Sequence, residues 1–145
     1  MKKTAILWDI ENVNPKADDS VIAGILESIS RDSSVHYAMA AADWTKSTIK
    51  SKAAILAANG FELFHLPKSQ KDSSDFALTA KGVELAFQIP GLERVILIAG
   101  DADFRPLIRT LRKYGIEVRV VCDVANNASE ELLTLADEYL DFRDL

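Results

Sequence analysis

Four aspartates, Asp9, Asp75, Asp101 and Asp103, are the residues of this 145-residue chain whose type and placement could do chemistry. Two apolar runs lead straight into carboxylates: Ala5-Ile6-Leu7-Trp8 into Asp9, and Val95-Ile96-Leu97-Ile98-Ala99-Gly100 into Asp101, with Asp103 two residues further on. Carboxylates gathered where strands finish repel one another and are costly to desolvate. The same crowding suits a hard divalent cation, which takes oxygen ligands.

Each aspartate also has a plainer role to set against that one. Asp9 could end a strand in a turn, and Asp103 could cap a helix beginning at Phe104. Asp101 then lacks an explanation, because one helix start needs only one capping acid. Asp75 falls in the first turn of a helix over residues 73–88, where a negative charge is favoured and Ser73 or Ser74 could cap. On a helical wheel, however, Asp75 lines up with Leu78, Thr79, Gly82 and Ala86 in the middle of the apolar side. Phe76, Val83, Leu85, Phe87 and Ile89 spread over that side, and Lys81, Glu84 and Gln88 lie opposite. Glu11 and Asp123 are weaker candidates, one directed away from Asp9 and the other suited to a strand-end turn. His36 and His65 read as strand residues packed at the sheet, since no second His or Cys stands at metal-ligand spacing.

The elements that must position these acids alternate in type. Strand-like runs at residues 6–9, 35–41, 61–66, 95–99, 116–122 and 139–142 interleave with helical periods from Asn14-Pro15 to about Ser30, over residues 45–58, 73–88 and 104–114, and after Ser129. Asn59-Gly60, Pro90-Gly91 and Gly115 mark stops. This rhythm predicts an α/β fold with a mostly parallel central sheet covered on both faces. In such sheets ligands sit beyond the carboxyl ends of the strands, where Asp9, Asp101 and Asp103 would share one crevice.

With 48% hydrophobic residues, the chain is read as one compact domain over residues 1–145. The formal charge is -5, and the four aspartates would carry most of it. That balance argues against a large basic face gripping nucleic acid. The lone Cys122 excludes an internal disulfide and reads as a small buried hydrophobe. The apolar stretch after Lys2-Lys3 is too short for a secretory signal, and no run is long enough to span a membrane. The expected setting is therefore soluble and cytoplasmic.

Taken together, Trp8-Asp9-Ile10-Glu11-Asn12-Val13, Ala42-Asp43-Trp44, Lys71-Asp72-Ser73-Ser74-Asp75, Ala99-Gly100-Asp101-Ala102-Asp103-Phe104 and the closing Ala136-Asp137-Glu138-Tyr139 resemble the NYN domain family, in its LabA-like (DUF88) branch of the PIN-like nuclease superfamily. The resemblance runs over nearly the whole chain. It implies a three-layer PIN-like, Rossmannoid sheet order and a Mg2+ or Mn2+ site hydrolysing RNA phosphodiesters. The acidic positions are then Asp9, Asp75, Asp101 and Asp103, with Asn12 beside them. Many relatives place Lys-Gly-Val-Asp before the helical acid, whereas here Lys71-Asp72-Ser73-Ser74-Asp75 keeps the acid and shifts the basic residue.

In the mechanism so implied, Asp9 and Asp101 hold the metal, Asp75 and Asp103 complete its shell or orient the water, and Asn12 positions a ligand or phosphate oxygen. Lys46, Lys50, Lys68, Lys71, Arg105 and Arg109 would ring the crevice, and Trp44 would stack a base. The expected partner is a single-stranded or structured small RNA, engaged by the chain alone or as a homodimer. A haloacid-dehalogenase-like phosphatase would need a second Asp where Glu11 stands, and no Gly-x-Gly-x-x-Gly follows the first strand. The serious rival is a non-catalytic RNA-binding or regulatory module that retains the acidic pocket.

Overall fold

The computed structural model describes residues 1–14, 19–67 and 73–145. The expectations for Pro15, Lys68, Lys71 and Asp72 lie outside the described residues. Among the described residues, six strands, β1 (Lys2–Asp9), β2 (Ser33–Ala42), β3 (Glu62–His65), β4 (Arg94–Ile98), β5 (Glu117–Cys122) and β6 (Glu138–Asp141), alternate with six helices. These are α1 (Asp19–Ser30), α2 (Ser47–Lys50), α3 (Ala53–Ala58), α4 (Ser73–Gln88), α5 (Arg105–Lys113) and α6 (Glu130–Leu135). The sheet order is β3-β2-β1-β4-β5-β6, and every pairing is parallel, where the sequence had suggested only a mostly parallel sheet.

Strand parity explains the three layers. In β1, Ala5 and Leu7 pack with Leu78 and Leu85 of α4 and Leu107, Ile108 and Leu111 of α5. Ile6 and Trp8 face the other way, onto Ile22, Ile25 and Ile29 of α1 and Leu56 of α3. Both faces are buried, which is why these strands read as unbroken apolar runs. Asp9 shares the parity of Ala5 and Leu7 and so faces the α4 side. The chain leaves β1 toward β3, then returns to the opposite side of β1 to build β4 through β6. The topological switch point therefore lies between β1 and β4, the crevice that doubly wound sheets use for ligands.

Three local readings are corrected. The helix anticipated over residues 45–58 is two short helices, because Lys52 folds back and its Nζ donates to the Thr48 carbonyl at 2.8 Å, closing α2. Phe76 and Phe87 are exposed, at 74% and 68%, instead of joining the apolar face of α4. The buried stripe of α4 is narrow because α5 and β1 approach closely at Gly82. A Cβ there would lie 2.6 Å from Leu107 Cδ1 and 3.1 Å from Leu7 Cδ1. His36 and His65 lie on strands, as anticipated, but at the exposed surface, with His36 Nε2 3.2 Å from Ser34 Oγ and His65 Nδ1 accepting from the Trp44 backbone N–H. Gly60, Gly91 and Gly115 all take positive φ at the expected stops. No helix among the described residues is long and apolar enough to cross a membrane.

At the amino ends of the strands the charges are tightly matched. Arg94 bonds Glu117 at 2.7 Å and Asp32 at 3.2 Å, Arg119 grips both Asp32 oxygens at 2.8 and 3.1 Å, and Lys2 and Glu138 extend the network. Arg119 and then Arg94 hold the Asp32 carboxyl well below the usual range. Burial pushes Glu117 up, but Arg94 and Lys2 together leave it lowered. Depressed carboxylates stabilise the fold above their unfolded values, near about 4, and lose that contribution as the pH falls below them. Arg94→Leu should cost about 2 kcal/mol in urea unfolding at pH 7, less than for a fully enclosed pair because Asp32 is half exposed. The difference from wild type should shrink as the pH is lowered from about 4, and a difference that grows with acid contradicts this reading.

Candidate metal centre

The carboxyl ends of β1 and β4 and the start of α4 carry the four acids, Asp9 buried, Asp75 partly buried, and Asp101 and Asp103 exposed. Asp9 closes β1 and is only 6% exposed. Its Oδ2 accepts the Ser74 hydroxyl at 3.3 Å, and its carbonyl accepts the N–H groups of Asn12 and Val13 at 3.2 and 3.0 Å. The buried Trp8 ties off the same turn, its indole N–H donating to the Val13 carbonyl at 2.9 Å. Burial pushes the Asp9 carboxyl up to about 6, against the pull of Ser74 and Asn12, and Glu11 and Asp101 add to the rise. Ser74 thus reaches across to Asp9, where the sequence had offered it as a cap. Glu11, expected to be directed away, lies near enough to be felt.

Asp75 sits one residue beyond Ser74. Its Oδ1 is shielded from solvent and accepts no hydrogen bond among the described residues. Burial raises its carboxyl, the Phe76 backbone N–H opposes this, and Asp103 and Asp101 raise it further. The four acids are therefore electrostatic neighbours: Asp101 acts on both Asp9 and Asp75, and Asp103 acts on Asp75. Among the described residues no Lys or Arg pairs with any of them.

The capping assignment is reversed from expectation. Asp101 Oδ1 accepts the Asp103 backbone N–H at 2.9 Å and caps a 3-10 turn, Ala102–Phe104, that leads into α5. The turn begins two residues before Phe104, so the earlier acid occupies the cap and Asp103 is left exposed inside it. Asn12 reaches the same crevice, where its Oδ1 accepts the Gly100 N–H at 2.6 Å.

The anticipated substrate contacts are mostly engaged elsewhere. Lys46 pairs with Glu11, and Arg105 pairs with Glu131 while its Nε donates to the Ala102 carbonyl at 3.0 Å. Trp44, partly buried, packs against the core, and its indole N–H donates to the Phe64 carbonyl at 3.0 Å, a structural engagement of its edge. Lys50 and Arg109 are exposed on α2 and α5. Asp123 is held by Arg143 below the usual carboxylate range. Cys122 is buried, and its thiol is pushed up to about 11 by that burial.

The donor set fits a hard cation. It is all oxygen, one shielded carboxylate oxygen lacks a partner among the described residues, and a second carboxylate is buried against its charge. No group of three His, Cys, Asp or Glu side chains among the described residues is assembled closely enough to hold an ion unaided. Mg2+ is commonly held by one or two carboxylates, with water and substrate phosphate filling the remaining positions.

A carboxylate whose value is raised by folding destabilises the native state once ionised. The penalty is absent below about pH 4, the unfolded value, and complete above about 6. Asp9→Asn should therefore stabilise the metal-free protein by up to about 3 kcal/mol at pH 7, with the gain fading toward pH 4. A loss of stability at pH 7, measured by urea unfolding in EDTA, contradicts the assignment.

Comparison with known proteins bears on the whole chain. A crystal structure of a protein of unknown function from Vibrio parahaemolyticus is similar, with a TM-score of 0.78 and 27% identity over 97% of this chain and 92% of that one. Among curated proteins nothing matches. The family model for the NYN domain, a nuclease-type family, matches residues 3–143. With acids standing at the switch point of an all-parallel sheet, this chain belongs to the NYN domain family.

Proposed function

We propose that this chain, acting as a single NYN domain of the LabA-like type, is a metal-dependent ribonuclease that hydrolyses phosphodiesters at the crevice between β1 and β4. The observation that carries the reading is that Asp75 has a shielded, unpartnered oxygen and Asp9 a buried carboxylate, that Asp101 acts electrostatically on both, and that no side-chain cation pairs with either among the described residues. Leaving carboxylates in that state is costly unless a cation joins them.

In this reading Asp9 and Asp75 supply inward-facing oxygens, Asp101 offers the oxygen not used in capping, and Asp103 stands at the solvent side to orient water. A bound Mg2+ or Mn2+ would lower the pKa of the attacking water and shield charge growing on phosphorus. The positive dipole end at the start of α4 favours phosphate nearby. Asn12 holds the turn after β1 against Gly100. Phe76, exposed in the first turn of α4 next to Asp75, is better placed for the stacking role than Trp44, which is partly buried against the core. The expected substrate is single-stranded or hairpin RNA.

The absence of a preassembled three-carboxylate shell among the described residues favours the rival, an RNA-binding module without cleavage. Labelled single-stranded and hairpin RNAs incubated with the protein in Mn2+, Mg2+ or EDTA separate the two. Cleavage that requires metal and falls at least about a hundredfold in Asp9→Asn and Asp101→Asn supports the nuclease; metal-independent binding without cleavage supports the module. For the stacking assignment, Phe76→Ala should raise KM several-fold with kcat little changed, since a stacked base is worth about 1–3 kcal/mol. Trp44→Ala should instead lower Tm, and a KM effect confined to Trp44→Ala contradicts the placement.

A further inference from the structure

Gly100 is enclosed by two loops from distant parts of the chain. Its N–H donates to Asn12 Oδ1 at 2.6 Å and its carbonyl accepts the Ser129 N–H at 2.8 Å. A Cβ at this position would lie 1.8 Å from the Asn127 backbone oxygen, a clash that no side-chain rotation relieves. Asn127 also reaches past Gly100, its Nδ2 donating to the Asn12 carbonyl at 2.8 Å. Asn127 therefore binds the loop after β1 while its backbone packs on the loop after β4.

The segment that carries Asn127 is itself anchored. The Asp123 carbonyl accepts the N–H groups of Asn126 and Asn127 at 3.2 and 2.8 Å. The Asp123 carboxylate is gripped by both guanidinium nitrogens of Arg143, at 2.6 and 3.1 Å, and by Asn126 Nδ2. Arg143 is steadied in turn by its stacking over Phe142 and by its N–H, which donates to Asp141 Oδ1 at 2.9 Å. Paired fork contacts of this kind fix orientation as well as distance.

We infer that Asn127, anchored through Asp123 by Arg143, is a positioning residue for the crevice. It locks the turn from Asp9 to Asn12 against the turn from Gly100 to Asp103, and so sets where the Asp9 and Asp101 carboxylates stand relative to each other. Its effect on chemistry rests on the ion-binding reading of those carboxylates; the contacts themselves do not. Groups that orient ligands from outside typically change metal affinity or activity about 10- to 100-fold when removed.

Asn127→Asp keeps the side chain's size and turns an acceptor toward the Asn12 carbonyl, while Arg143→Ala frees the anchor. Two readouts on the full chain test the inference: amide hydrogen exchange in the metal-free protein, and Mn2+ binding by calorimetry. Both variants should lose protection at Gly100 while keeping it at Leu7 and Val120, and should bind Mn2+ about tenfold more weakly. Wild-type protection at Gly100 overturns the inference, as does protection lost evenly across the sheet, the mark of a merely structural role. If the wild-type chain takes up no Mn2+, the ion reading fails, and the exchange pattern alone decides whether Asn127 positions the loops.

Discussion

The desolvation of one carboxylate governs this molecule. Asp9 lies where the parity of β1 turns it toward α4, at the switch point of a parallel sheet, and almost no solvent reaches it. One hydroxyl and the first backbone N–H of a turn are its only compensation among the described residues, and they leave its carboxyl raised to about 6. The buried Trp8, the Asn12-to-Gly100 bond and the narrow buried stripe of α4 all keep that carboxylate in place. A fold selected for stability alone would put an apolar or paired residue there.

The two ends of the sheet make the contrast plain. At the amino ends, Asp32, Glu117 and Glu138 meet Arg94, Arg119 and Lys2 at ordinary ion-pair distances. At the carboxyl ends, Asp101 acts electrostatically on Asp9 and Asp75, Asp103 acts on Asp75, and the cations Lys46 and Arg105 are spent on Glu11 and Glu131. The same chain thus neutralises its acids at one end and, among the described residues, leaves these four without a cationic partner at the other.

Much of this was legible in the sequence because strand runs and parity are local signals. The runs ending at Asp9 and Asp101 gave the two central strands, and the helical wheel placed Asp75 on the inner side, where its Oδ1 is shielded. Contacts made over long sequence distances were not legible. Nothing local marks Ser74 as a partner of Asp9, 65 residues away, or Asn127 as a partner of Asn12, 115 residues away. The exchange of roles between Asp101 and Asp103 turned on whether the helix opens with a 3-10 turn, which spacing does not decide. Phe76 was misread because the width of a buried stripe depends on how closely a neighbouring helix approaches. The pairings of Lys46 and Arg105 depend on where Glu11 and Glu131 come to lie, which only the folded chain decides.

The most direct measurement is a pH titration of the Asp9 side-chain carboxyl by carbon-detected NMR, run in EDTA and again in saturating Mg2+. The account predicts a value near 6 without metal, falling below about 4 when Mg2+ is present, because a bound cation favours the ionised form. A metal-free value already near about 4, the ordinary carboxylate figure, or one near 6 that Mg2+ leaves unmoved, would contradict it.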